Sequence, residues 1–468
     1  MTETTHPLPG AAGVRWIVTT EDAPWVEQAP AALSTPTAMP STLVDLEHPQ
    51  QVMEGFGASF NEFGWDALAL LSEADRDAVM RALFEPGTGL DLALCRMPLG
   101  ANDFSRDWYS YDELEGDFEL SGFSIAHDEE TLIPFIRAAK RHQPALRLWA
   151  SPWSPPTWMK DNGHYACSAP MALWQRAENG LQPHQVRAED TDTFIQEDRY
   201  LDAYARYFGR FIDAYAERDI AIGMVMPQNE FNSAQVFPSC TWTPQGLARF
   251  IRHLGPEMAR RGVEIFLGTL ERPKEWQAEA VLDDPGAGPF VSGVGVQWAG
   301  KGAVPYLHRK RPELRIYQSE QECGDGLNDW RFARYTWSLI RHYMTHGASA
   351  YMYWNMALVE GGISRWGWAQ NSLVVVDPVT RSYRFSHEYQ LLKHMTHFVR
   401  PGARVLPTSS YAGFEQQLAW RNPDGGVVLV VHNDTCAAQE WSALLGGLVL
   451  TATLPADSFS TFVIPATS

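Results

Sequence analysis

Cysteine is scarce in this chain, and so are positive charge and long apolar runs. The five cysteines, Cys95, Cys167, Cys240, Cys323 and Cys436, lie far apart with no CxxC spacing, so neither a disulfide framework nor a zinc site can be read from them. That spacing fits a reducing compartment. Lysine and arginine number 37 against 56 aspartates and glutamates, a formal charge of −19 that argues against nucleic acid and anionic membrane as partners, since both require a positive surface. No stretch approaches the ~18 consecutive apolar residues of a membrane span, and the N-terminus MTETTHPLPGAAG lacks the basic start and apolar run of a secretory leader. The expected location is cytoplasmic, although a secreted chain whose leader had been removed reads alike. The pattern sets no oligomeric state.

What is present is an ordinary globular composition, 45% hydrophobic and 20% charged over 468 residues, enough for one large domain and a smaller one. Tryptophan stands out at 18 residues. Most of these must pack the core, but indole faces also stack on the apolar faces of sugar rings.

Eight short β-rich runs recur, each followed by a polar turn and then a segment with helical spacing: VMEGFGASF, DLALCRMPL, LRLWASPW, AIGMVMPQNE, EIFLGTL, VSGVGVQW, LRIYQSE and ASAYMYWN. A helix is expected over LDAYARYFGRFIDAYAER, where Leu201, Tyr204, Phe208, Phe211, Ile212 and Tyr215 recur at three- and four-residue spacing. Strand and helix alternating eight times, with strands apolar on both faces, predicts an α/β fold with a (β/α)8 TIM barrel over residues 48–398. After Pro401 and Gly402 the texture changes to short strands with turn signals, predicting a small antiparallel β-sandwich domain over residues 399–468. VRWIVTTED and STLVDLEH, within an N-terminal segment of residues 1–47, are expected to add strands to that sandwich. Residues 1–13 and the stretch around 27–42 are expected to be loose.

In such a barrel the site lies at the C-terminal ends of the strands. The residues there are Asn61 and Glu62, Arg96 with Asn102 and Asp103, Trp153 and Trp158, Asn229 and Glu230, Gln297 and Trp298, Glu320 and Glu322, and Trp354 and Asn355. Two carboxylates from different strands, set among indoles and amides, are what glycoside cleavage requires: one acid protonates the departing oxygen and the other meets the charge developing at the anomeric carbon. Glu230 and Glu320 form the natural pair. The competing structural reading pairs each with a core arginine in a salt bridge.

Several stretches carry a resemblance: GFGASFNE, CRMPLGANDFS, LRLWASPWSPPTWMK, NGH, PQNEF with FPSCTWTPQGLARFI, IYQSEQECG, YWNMAL and HFVRPGARV, in that order over about residues 48–405. The chain resembles glycoside hydrolase family 30, which includes glucosylceramidases, bacterial β-glucosidases, β-1,6-glucanases and β-xylosidases. The resemblance implies a barrel joined to a side β-sandwich built from both chain ends. It also implies retention of anomeric configuration, with Glu230 as acid/base and Glu320 as nucleophile, and sugar binding by Arg96, Asp103, Trp158, Asn229 and Trp354. Two departures stand out. Phe231 replaces the family's usual proline and is expected to reshape the entrance loop. Gln297 and Ala299 replace a histidine and an aromatic of the glucosylceramidases, which points to a different leaving-group side with Gln297 among the binding residues.

A retaining double displacement needs the two carboxyls about 5 to 5.5 Å apart, against roughly 6.5 to 9.5 Å for inversion. Proximity keeps Glu230 protonated while Glu320 is charged, and Arg96 helps Glu320 ionise; pairing for barrel stability is the alternative role for that arginine. Asn229 suits the sugar's 2-hydroxyl, and Asp103 the 4- or 6-hydroxyl of a glucose-like unit, unless Asp103 serves as a turn cap. Trp298, Trp366 and Trp368 read first as packing, Glu62 as a partner behind the rim, and Glu322 as a lesser candidate for nucleophile. HEYQLLKH is not a zinc motif because position 391 is Leu391, His394 and His397 read as helix-surface residues, and no metal or cofactor is expected.

The function that follows is an exo-acting retaining β-glycosidase on β-glucosides or short oligosaccharides. Endo-β-1,6-glucanase and β-xylosidase are the alternatives within the family. The long Cys167–Glu197 segment is expected to close one end of the cleft. A non-catalytic carbohydrate-binding barrel would have lost one of the two acids, and an aldolase or metal hydrolase would need a buried lysine or a His/Asp cluster, neither of which is visible.

Overall fold

The computed structural model describes residues 13–171, 178–411 and 416–466. Eight parallel strands close into a barrel in sequence order: Gly55–Ser59, Leu94–Pro98, Arg147–Ser151, Met224–Val225, Glu264–Leu270, Val291–Gln297, Arg315–Glu320 and Ala348–Asn355. Each apolar run read from the sequence supplies one of them, and the eighth pairs back onto the first with Tyr351 opposite Phe56. Leu94, Trp149, Met224, Phe266, Tyr317 and Met352 fill the interior, while their neighbours Cys95, Leu148, Val225, Leu267 and Ile316 pack outward in the helical layer. Gly295 in the sixth strand is required by this filling, since a Cβ there would lie 2.3 Å from Met226 Sδ.

The helix Asp198–Ala216 buries Leu201, Tyr204, Phe208, Phe211, Ile212 and Tyr215, the face its spacing predicts. Side-chain caps fix where other helices begin: Thr243 Oγ1 accepts from Gly246 N (3.0 Å) before Pro244–Ala259, and Ser386 Oγ accepts from Tyr389 N (3.3 Å) before His387–Thr396.

Both chain ends build the sandwich. One sheet orders Arg404–Leu406, Gln417–Arg421, Val427–Asn433, Ser458–Ile464, Arg15–Thr19 and Val26–Glu27; the other orders Thr408–Ser410, Thr42–Val44, Gln439–Leu445, Leu448–Leu454 and Leu33–Ser34. All these pairings are antiparallel except Thr42–Val44 beside Gln439–Leu445. The stretch around 27–42 is therefore not loose throughout: Leu33–Ser34 pairs with Leu450 and Val449, and Ala31 bridges Val14. Residues 1–12 lie outside the described residues.

His394 corrects another expectation. It is fully buried, not at a helix surface, and lies between Thr461 Oγ1 (2.8 Å) and Thr19 Oγ1 (2.7 Å), tying the last barrel helix to sandwich strands from both chain ends. His397 is half-buried, with Nδ1 2.9 Å from Gly89 O.

Candidate active site

The loop after the fourth strand is fastened to its neighbours through its main chain. Gln228 N–H donates to Gly268 O (3.1 Å), Asn229 N–H to Pro152 O (2.7 Å), Glu230 N–H to Thr269 Oγ1 (2.8 Å) and Phe231 N–H to Thr269 O (3.3 Å). These bonds hold Glu230 at φ 50°, a left-handed conformation that costs a non-glycine residue about 1–3 kcal/mol and recurs at functional sites. Phe231 is wholly buried in the core and not at the entrance, and its N–H makes a bond that proline lacks.

Arg96 organises the centre. It is fully buried in the second strand, and Nη1 donates to Glu320 Oε2 (2.7 Å) while Nη2 donates to Asn229 Oδ1 (2.6 Å) and Ser151 Oγ (2.8 Å). Its guanidinium lies 4.3 Å from the ring centre of Trp153, 4.9 Å from Trp149 and 5.6 Å from Trp354. Glu320 ends the seventh strand, and its Oε1 accepts from Trp298 Nε1 (2.8 Å). Tyr317 lies in the barrel's interior cluster and the Ser319 hydroxyl bonds Gln297. A register shift at Val296/Gln297 then sets Gln297 beside Glu320 at the mouth.

Gln297 links Glu230 to Arg96, which holds Glu320. Its Oε1 accepts from Ser319 Oγ (2.9 Å) and Arg96 Nη1 (3.4 Å), and its Nε2 donates to Glu230 Oε1 (3.1 Å) and Asn229 Oδ1 (3.1 Å). Glu230 Oε2 accepts from Gln235 Nε2 (2.9 Å). Among the described residues, the side-chain bonds of Asn229 all fall on Oδ1, from Arg96, Gln297 and Thr269, which leaves its amide N–H groups for a ligand.

The electrostatics of the two acids differ. Burial, then the charges of Glu271 and Glu320, push Glu230 well above the ordinary carboxylate range, and the bonds it accepts come from neutral amides. Burial also raises Glu320, but the Arg96 guanidinium and the Trp298 indole N–H oppose it, so of the two Glu320 is the one whose surroundings favour the anion. Asp103 is raised by burial and by Glu320.

Of the residues chosen from the sequence, Arg96, Asn229, Glu230, Gln297 and Glu320 form one hydrogen-bonded group. Trp354 stacks on Trp153 with ring centres 5.3 Å apart, and Asp103 lies close enough to feel Glu320 and Arg96. The turn-cap role proposed for Asp103 belongs to Asn102, whose Oδ1 accepts from Phe104 N (2.7 Å). Trp158 is not brought to the pair: its Nε1 donates to Asp112 O (3.0 Å) and its ring packs on Phe118 and Tyr200. Trp153, five residues earlier and two residues past the end of the third strand, takes the place beside Arg96. Glu322 turns to Lys301 Nζ (2.7 Å) and Tyr335 Oη (2.5 Å), and Glu62 lies behind the rim with His127 (2.8 Å). Asn61 caps the helix Glu62–Ala69 and donates to Asn355 Oδ1 (3.0 Å), so these two rim amides are occupied with each other.

Sequence reasoning also missed Gln235, which no pattern marks, and Glu271, which does have a signal because it directly follows the fifth strand. Trp298, read as packing, donates to Glu320 instead. Among the described residues no group of three or more His, Cys, Asp and Glu is placed to hold a metal ion, and no helix is long and apolar enough to cross a membrane.

Comparison with known proteins places this arrangement. A model described as the glycosyl hydrolase family 30 TIM-barrel domain matches residues 53–399, and one described as the glycosyl hydrolase family 30 beta sandwich domain matches residues 402–462. Lysosomal acid glucosylceramidase of Mus musculus is 29% identical over 413 residues, covering 82% of this chain and 75% of that protein. Endo-1,6-beta-D-glucanase neg1 of Aspergillus fumigatus is 25% identical over 449 residues, covering 89% and 86%. Among solved structures, SrfJ from Salmonella typhimurium superposes with a TM-score of 0.85 at 25% identity, covering 97% of this chain and 100% of that one. An endo-β1,6-glucanase shares the fold with a TM-score of 0.81 at 20% identity, covering 97% and 99%.

Proposed function

Because the chain belongs to glycosyl hydrolase family 30, and is thereby a glycoside hydrolase, we propose that it is a retaining, exo-acting β-glycosidase whose nucleophile is Glu320 and whose acid/base is Glu230. The asymmetry between the two acids carries this reading: Glu320 is held by a guanidinium and an indole N–H, Glu230 by two neutral amides. In the first step a Glu320 oxygen bonds to the anomeric carbon as the glycosidic C–O bond breaks, and the Glu230 proton passes to the leaving oxygen. In the second, Glu230 takes a proton from water, the water oxygen bonds to the anomeric carbon, and Glu320 leaves as a carboxylate. Two inversions at one carbon give net retention. Asn229 offers its amide N–H to the 2-hydroxyl, Asp103 accepts from a hydroxyl at the far end of the ring, and Trp153 with Trp354 supplies the apolar wall.

Exo action is supported by how the segment between the third and fourth strands is tied down. Cys167 N–H (3.0 Å) and Ser168 N–H (2.9 Å) both donate to Gln235 O, in the loop that carries the proposed acid. Glu189 pairs with Arg272 (2.7 Å) and Asp190 with Lys274 (2.6 Å) beyond the fifth strand, so the segment is stitched across that side of the cleft. Residues 172–177 of it lie outside the described residues. β-Glucose is the proposed glycone, as the names of the glucosylceramidase and glucanase relatives suggest, and an endo-acting β-1,6-glucanase is the second reading, favoured by the Aspergillus fumigatus relative.

Labelling with 2,4-dinitrophenyl 2-deoxy-2-fluoro-β-D-glucoside tests the assignment. The expected result is one fluoroglucosyl group on Glu320 by peptide mapping; attachment to Glu322 would transfer the nucleophile's role there. Products from a β-1,6-glucan separate the two modes, since exo action releases glucose alone from the start and endo action releases a ladder of oligomers.

A further inference from the structure

The bond-making steps need no amide at position 235, yet Gln235 is tied down through both its main chain and its side chain. Its carbonyl accepts from Cys167 N–H (3.0 Å), Ser168 N–H (2.9 Å) and Ser239 Oγ (3.1 Å), and its own N–H lies 3.3 Å from that hydroxyl oxygen. Ser239 is fixed in turn, since its carbonyl accepts from the buried Lys160 Nζ (2.7 Å) and its N–H donates to Tyr165 O (2.9 Å). A half-buried residue is thus held against the segment that walls the cleft. From that anchor the side chain turns inward. Its Nε2 donates one hydrogen to Glu230 Oε2 (2.9 Å) and the other to Ser233 Oγ (2.6 Å), while Gln297 Nε2 donates to the second Glu230 oxygen, Oε1 (3.1 Å).

Each oxygen of the Glu230 carboxyl is therefore held by a different amide, which fixes the plane of the group. An amide N–H donates and does not accept, so a proton on Glu230 is bonded to neither amide nitrogen and turns to a lone pair directed away from both. A carboxylate only accepts, so once Glu230 has given up its proton both bonds remain and strengthen. The same two contacts aim the group in both of its protonation states.

We propose that Gln235 is a positioning residue for Glu230, locking the orientation of its carboxyl through the bond to Oε2 and fastening that orientation to the wall of the cleft. This rests on the reading of Glu230 as acid/base. Glu230 also faces Glu320 from the seventh strand, Glu271 and Arg272 after the fifth, Asp103 from the loop after the second and Arg96 within the second. A change at Gln235 leaves all of these charges in place, so a shift in the titration of Glu230 reports the lost amide bond.

The test is the pH profile of kcat/KM on phenyl β-D-glucoside, whose poor leaving group needs the proton, measured beside 2,4-dinitrophenyl β-D-glucoside, which does not. Gln235→Met keeps the length of the side chain and removes the donor. Its alkaline limb on the phenyl substrate is expected to move to higher pH by about one unit, because a hydrogen bond that favours the anion of Glu230 is gone. On the plateau, kcat/KM for that substrate falls by about 10-fold as the carboxyl loses its fixed aim, and the dinitrophenyl profile is unchanged. Gln235→Glu, of the same shape, moves the limb further in the same direction by adding a charge that opposes ionisation of Glu230, and serves if Gln235→Met folds poorly. A limb unmoved or lowered in both variants, or equal losses on the two substrates, with Glu230→Gln abolishing the limb, overturns the role of Gln235 alone. A limb that survives in Glu230→Gln overturns the acid/base reading and this inference with it.

Discussion

Glu230 and Glu320 are both buried carboxylates, and only their neighbours make them different. A group whose ionisation is opposed by burial and by two nearby acids is a proton donor in waiting, whereas one facing a guanidinium is an anion in waiting. The Glu230→Gln variant keeps the volume and removes the proton. Its kcat/KM on phenyl β-D-glucoside is expected to fall by about 10²–10⁴-fold, with kcat/KM on the dinitrophenyl glucoside nearly unchanged. Equal losses on both substrates would show that Glu230 does not donate the proton. At this scale the sequence was most informative where a residue directly ends a strand, as with Glu320. It was least informative where side chains separate neighbours: Trp153 and Trp158 look equivalent in LRLWASPWSPPTWMK, and only folding puts one under Arg96 and hooks the other onto Asp112.

The barrel's elements were legible because each strand must be apolar on both faces and each helix on one. What pattern does not encode is a register shift or a buried polar partner. The shift at Val296/Gln297 sets Gln297 beside Glu320 and departs from simple alternation. Glu388, in the helix His387–Thr396, is wholly buried, accepts from Tyr353 Oη (2.8 Å) and Asn371 Nδ2 (3.0 Å), and burial pushes it up to about 8. Between the ordinary carboxylate range and pH 8 the folded state therefore holds a proton that the unfolded chain releases. Stability from this group is complete at low pH and declines as pH rises through that window, at about 1.4 kcal/mol per unit where the two states differ by a full proton. Glu388→Gln cannot ionise, so its thermal midpoint is expected to lack that component of the slope between pH 5 and 8; an unchanged slope would contradict the assignment.

Across the whole molecule, the barrel and the sandwich are tied through the last barrel helix and strands from both chain ends. The sequence showed that two β-rich ends flank a barrel, but not that His394 sits between them, because a histidine in a helix reads alike whether it faces water or a second domain. Burial pulls His394 down to about 3, so it is neutral where it bridges Thr461 and Thr19. The stability from this depressed group is present above the unfolded value near 6.5 and is lost as pH falls toward 3, opposite in sign to Glu388. His394→Gln is expected to be less stable at pH 7 yet to lose less of its thermal midpoint on acidification; a parallel loss would show that the junction does not depend on the neutral imidazole. Attack by Glu320 on one face of the anomeric carbon, and its displacement by water from the opposite face, where the leaving group departed, remains the central claim. It is tested most directly by proton NMR of the first sugar released from 4-nitrophenyl β-D-glucoside, before mutarotation: the β-anomer is predicted, and the α-anomer appearing first would contradict the two-carboxylate retaining mechanism.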